Sequence, residues 1–149
     1  MTPEQCTEKY GAIVNGKWVD EAKWMITIDC TRFDLPWDTT QSAKYPHHIY
    51  INKDCAEPLA KALQNLKSRC YATELKTFDG CFNIRATRGA DTQSAHSWGL
   101  ALDLNAAENA LGQIPKFSEG FVRCFEDAGF KWGGRWPRKD GMHFSLAGF

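Results

Sequence analysis

The spacing of apolar side chains changes period several times along the chain, and each change marks an element. Over residues 57–69, Leu59, Leu63 and Leu66 fall at i, i+4 and i+7 behind Pro58 in the first turn, which predicts a helix. A second helix is predicted over 118–128. Ser118 offers an N-cap, Phe121, Val122 and Phe125 an apolar face, and Gly129 a C-terminal stop. Between these helices the period drops to two. Leu100, Leu102 and Leu104 alternate with Ala101, Asp103 and Asn105 over residues 98–105, the pattern of a half-buried strand. Residues 142–146 repeat it, with Met142, Phe144 and Leu146 opposite His143 and Ser145. The first third is the least regular. Trp18, Val19, Trp24, Met25, Ile26 and Ile28 indicate a short helix running into an extended piece over 17–30. Residues 31–48, with Pro36, Pro46 and many small polar residues, read as a long loop. Segregated helices and strands, without βαβ alternation, predict an α+β domain: a mainly antiparallel sheet with a few flanking helices.

A chain of 149 residues suits one domain, and no repeat or linker divides it. Residues 1–55 are expected to form an irregular N-terminal part and 56–149 the core. With 43% hydrophobic and 24% charged residues, compositional disorder is excluded. Eighteen basic and eighteen acidic residues cancel, so the overall charge gives no support to nucleic-acid binding. A local basic cluster, Lys131, Arg135, Arg138 and Lys139, is either a solvated loop or a contact for an anionic substrate. Acidic residues interrupt positions 1–25 and no run approaches ~18 apolar residues. Synthesis in a cytoplasm without export signal or membrane insertion is therefore expected. The cysteines at 6, 30, 55, 70, 81 and 124 form no CxxC pair, and are expected to be reduced and mostly buried.

The two alternating strands each carry one metal-capable side chain, Asp103 or His143, opposite their apolar partners. Ala101, on the face of Asp103, is small enough to leave room for an ion. His96 precedes the first strand. Two imidazoles and a carboxylate make a tetrahedral zinc set with a fourth position open to water. A tight turn from Asp140 to His143 would hang the Asp140 carboxylate over that position, within reach of a proton. The adjacent His47 and His48 would point to opposite faces of a strand and so do not suit one metal. Taken alone, the spacing His-x6-Asp and then Asp-x2-His also fits ordinary core and turn residues.

The full text of these stretches is more specific. Ser94-Ala95-His96-Ser97-Trp98-Gly99-Leu100-Ala101-Leu102-Asp103 resembles the SxHxxGxAxD signature of the D-alanyl-D-alanine carboxypeptidase and L-alanyl-D-glutamate endopeptidase family of zinc peptidases. Trp132-Gly133-Gly134-Arg135-Trp136, leading to Asp140-Gly141-Met142-His143-Phe144, resembles its second signature in the form found in phage endolysins. The segment Asp79–Arg85 with Arg88-Gly89 is similar to the one carrying the family's substrate arginine. The resemblance spans roughly residues 56–146.

It implies one zinc per chain held by His96, Asp103 and His143, with Asp140 as catalytic acid/base where many relatives have glutamate. Arg85, with Arg88 as competitor, would clamp a carboxylate or the developing oxyanion. Ser94 would bind substrate or brace the His96 loop. Trp98, Trp132 and Trp136 either line the cleft or pack; Trp98 and Trp136 are taken as substrate contacts. The function implied is hydrolysis of an amide in a peptidoglycan stem peptide, by a monomeric phage lysin that is made in the host cytoplasm and acts at the wall after release. A carboxypeptidase or dipeptidase acting on D-Ala-D-Ala is the rival within the family. A virion protein stapled by structural zinc is the rival outside catalysis, and Asp140 argues against it.

Overall fold

Thr2 and Gln5 open the chain with a capping box: the Thr2 side chain accepts from the Gln5 N–H, and the Gln5 side chain accepts from the Thr2 N–H. With Pro3 at the first position they start helix α1 (Pro3–Tyr10). This helix lacks an apolar stripe, since Cys6 and Tyr10 are its buried residues, so hydrophobic period did not reveal it. The structure is a computed structural model that describes residues 1–33, 47–87 and 92–149, except the side chain of Arg32.

After α1 comes a small hairpin of β1 (Ile13–Val14) and β2 (Lys17–Trp18). Asn15 and Gly16 both take positive φ at its tip, as the twist of a two-residue hairpin requires. The short helix and extended piece expected over 17–30 are α2 (Glu21–Trp24) and β3 (Met25–Asp29). β3 pairs antiparallel with β4 (His48–Asn52). The loop expected over 31–48 therefore ends before His48, and its part over 34–46 lies outside the described residues. His47 and His48 are exposed, and neither joins a metal-ligating group among the described residues.

Helix α3 (Ala56–Ser68) buries Leu59, Ala62, Leu63 and Leu66, close to the stripe the sequence shows. The second principal sheet is four-stranded and antiparallel. It consists of β5 (Phe78–Gly80), β6 (Ala101–Leu104), β7 (Lys131–Trp132) and β8 (His143–Ser145), in the order β5-β6-β8-β7. Helix α4 (Glu119–Glu126) has the predicted cap, the Ser118 hydroxyl accepting the Phe121 N–H at 3.1 Å. It ends at Glu126, slightly short of the expected 128.

Register sorts the sheet's two faces. Leu102 lies opposite Phe144, and Phe144 opposite Trp132, so these three share one face. Against them pack the rings of α4: Phe125 lies 4.5 Å and Phe121 6.1 Å from Phe144, centroid to centroid. Phe144 is fully buried. Phe144→Ala is expected to cost about 3–5 kcal/mol of stability in denaturant unfolding, because the cavity cannot collapse between sheet and helix. Asp103 and His143, also register partners, occupy the opposite face.

The predicted strand over 98–105 begins late. Residues Ala95–Trp98 form a 3-10 turn that ends at Gly99 in the left-handed region, φ 64°. A Cβ there would lie 2.6 Å from Met25 Sδ and 3.0 Å from the Asn52 main-chain nitrogen. Asn52 ties β4 to this turn. Its N–H donates to Gly99 O at 3.1 Å and its side-chain amide to Trp98 O at 3.0 Å. The Trp98 indole N–H donates to Gly11 O at 3.0 Å, which anchors the end of α1 as well. The end of α1 and strand β4 thus buttress the His96 turn.

Among the described residues no helix is long and apolar enough to cross a membrane. The six cysteines are free; Cys70 is exposed and the other five are buried. Burial pushes the Cys6 thiol up to about 11 and Cys55 up to about 12. Buried, protonated thiols react slowly. Alkylation of the native protein without reductant should label Cys70 first and the rest only on unfolding. A disulfide surviving in unfolded, unreduced protein would contradict this.

Candidate metal centre

Because Asp103 and His143 are partners on adjacent strands, their side chains meet without help from any loop. His96 is brought to them by the 3-10 turn, where the Ser94 hydroxyl accepts the His96 N–H at 3.4 Å. Asp103 Oδ1 lies 3.3 Å from His96 Nε2 and 3.3 Å from His143 Nδ1, and these two nitrogens are 3.2 Å apart. The three side chains form a group that could hold a metal ion, as the alternating strands led one to expect.

The outer nitrogens decide what the inner ones offer. His96 Nδ1 contacts Cys81 O at 2.6 Å, and His143 Nε2 contacts Phe149 O at 3.1 Å. A main-chain oxygen can only accept, so each outer nitrogen carries a hydrogen and the inner nitrogens of neutral imidazoles present lone pairs. Burial raises the Asp103 pKa, and only positive charge at the inner side of His143 and His96, carried by protons on them or by a cation among the three, lowers it below the usual carboxylate range. A carboxylate and two lone pairs within 3.3 Å repel unless a cation lies among them. Two imidazoles and a carboxylate, with their outer atoms held by main-chain oxygens, suit zinc.

One face of this group opens on a cleft of about 270 Å3, lined by Asp103 and His143 together with Arg85, Ser94, Trp136 and Asp140. Leu111, Pro137, Met142 and Phe149 form an apolar wall. The tight turn expected between Asp140 and His143 is present: the His143 N–H donates to Asp140 O at 3.2 Å, and the Asp140 N–H to Gly133 O at 3.0 Å. A Cβ on Gly133 would fall 2.6 Å from Asp140 O, so the bare glycine lets the two segments touch. The Trp136 ring centroid lies 5.3 Å from that of His143.

The remaining expected site residues fall in different places. Trp98, taken as a substrate contact, is 1% exposed and does not line the cleft; its indole is committed to Gly11 O. Trp132 packs under Phe144 and donates to Gly141 O at 2.8 Å. Ser94 lines the cleft, and its hydroxyl caps the His96 turn, which is the bracing role of its two expected ones. The basic cluster divides. Arg135 is neither solvated alone nor turned to the cleft: it holds Glu126 at 2.8 and 3.0 Å and Glu119 at 2.6 Å. Arg138 does line the cleft. Arg88 lies outside the described residues. Cys81 O and Phe149 O escaped sequence reasoning because a main-chain oxygen carries no residue signal.

Residues 88–146 match the family model of D-alanyl-D-alanine carboxypeptidases. The matched stretch contains His96, Asp103, Asp140 and His143, and begins later than the span of roughly 56–146 that the motifs indicated. No curated protein matches the chain. Family match and ligand geometry together support a metallopeptidase.

Proposed function

We propose that this protein is a zinc-dependent peptidase that hydrolyses an amide bond in peptidoglycan stem peptides. The observation that carries the reading is the convergence of His96 Nε2, His143 Nδ1 and Asp103 Oδ1, with His143 and Asp103 at the wall of a cleft that Arg85 and Asp140 also line. A zinc ion held by the three residues would supply Lewis-acid polarisation of the scissile carbonyl and acidify a water molecule. Asp140 accepts the proton from the attacking water at its carboxylate and returns it to the leaving nitrogen. Arg85 offers a guanidinium to the carbonyl oxygen as its charge grows, or to a substrate carboxylate. The apolar wall of Leu111 and Met142, with Trp136, seats the peptide and keeps bulk water out.

The finer reading is an endopeptidase of phage-lysin type cutting an L-alanyl-D-glutamate or similar bond. It is supported by the resemblance of residues 132–144 to endolysin signatures. A carboxypeptidase is the second reading, favoured by the description of the matching family. Intact sacculi and a free pentapeptide separate the two. Solubilised wall with new internal termini is expected; release of D-alanine alone would select the carboxypeptidase. Monomeric action on wall peptides, with no nucleic acid or inserted membrane segment, belongs to the same proposal.

A further inference from the structure

Ser97 supplies no metal ligand and does not line the cleft, yet it is fully buried beside both. Its hydroxyl accepts the Arg85 N–H at 3.0 Å. Its proton is offered to Arg85 O at 2.9 Å, with Gln93 Oε1 at 3.0 Å and Asn83 O at 3.4 Å as alternatives. Gripping both main-chain polar groups of one residue is what the opposite residue does in a hydrogen-bonded antiparallel pair.

The surroundings are such a ladder. Asn83 N–H donates to His96 O at 3.1 Å, Ser94 N–H to Arg85 O at 3.0 Å and Thr87 N–H to Thr92 O at 2.7 Å. Residues 83–87 therefore run antiparallel to 92–96, with Ala86 bridged to Gln93. Opposite Arg85 stands Ser94, whose carbonyl is turned away into the 3-10 turn, where it accepts the Ser97 N–H at 2.8 Å, so the Arg85 N–H finds no main-chain acceptor across the ladder. The hydroxyl fills that place. We infer that Ser97 is a positioning residue: it fixes the Arg85 main chain to the turn that carries His96 and so sets the guanidinium relative to the metal ligands. This rests on the role given to Arg85 above.

Without the hydroxyl, the Arg85 N–H loses its partner, and at Arg85 the segment is held only by the bond from the Ser94 N–H, which lets the residue shift. A displacement of about 1 Å at a positioned group can cost roughly a hundredfold in rate. In the zinc-loaded full chain, Ser97→Ala is expected to keep its zinc while kcat/KM falls about tenfold to a hundredfold. In an Arg85→Ala background the same substitution should cost nothing further, because its effect passes through the guanidinium. Equal losses in both backgrounds, or none in the parent, would overturn the inference. Amide exchange read by NMR gives an answer that needs no turnover. The Arg85 N–H should exchange about tenfold faster in Ser97→Ala, with Phe144 unchanged; an unchanged Arg85 rate overturns the proposal. An inactive parent whose Arg85 exchange still responds to Ser97→Ala would instead count against the peptidase reading alone. If the alanine chain does not fold, Ser97→Cys carries the same tests, with smaller changes expected and the same overturning results.

Discussion

Substituting His96 or His143 by alanine should strip the protein of zinc and reduce hydrolysis to background. Each histidine gives one of the three inward donors, and each is buried with its outer nitrogen held by a main-chain oxygen. Loss of an outer partner of this kind typically costs 10–100-fold in metal affinity, so loss of the ligand itself should exceed about a hundredfold. Asp103→Ala should weaken binding as well, because it removes the negative charge at the centre of the group. The fold should survive all three, since the packed rings of Phe144, Phe121 and Phe125 lie on the opposite face of the sheet. Metal analysis after dialysis, beside a thermal melt, reads both statements. A His96→Ala protein that keeps a full equivalent of tightly bound zinc would remove His96 from the set.

The second large effect separates Asp140 from Asp103. Asp140→Asn should bind zinc normally and lose at least about a hundredfold in kcat, because the amide cannot accept the proton and general acid–base assistance is typically worth 10²–10⁴-fold. The main chain around Asp140 should be undisturbed. Its N–H bonds to Gly133 O and its carbonyl accepts from the His143 N–H, and neither contact uses the side chain. Zinc content by metal analysis and kcat on a stem-peptide substrate are the paired measurements. Near-normal turnover would exclude Asp140 as the proton carrier, and zinc loss would make it a ligand.

What the sequence disclosed and what it concealed have physical reasons. Asp103 and His143 were legible because strand alternation puts both opposite a run of core residues, and register then makes them neighbours. Helices α3 and α4 showed themselves through apolar stripes and a serine cap. Helix α1 did not, since its signal was the Thr2–Gln5 capping box and the proline at its start. The β1–β2 hairpin was announced by Asn15-Gly16, a turn signal that apolar period passes over. Trp98 stayed ambiguous, because an indole two residues from His96 can serve a cleft or a core with the same letters. Only the third dimension shows it joined to Gly11 O. Ser97 occupies a position that the signature leaves open, and its importance comes from a main chain that folds back on it from twelve residues away.

The most direct test is a mass-spectrometric digest of purified peptidoglycan by protein in three states: as isolated, stripped by chelator, and stripped then given one equivalent of zinc. New amino and carboxyl termini within the stem peptide are expected in the first state, absent in the second and restored in the third. Cleavage that persists undiminished in the stripped protein, or intact stem peptides in the presence of fully zinc-loaded protein, would contradict the account.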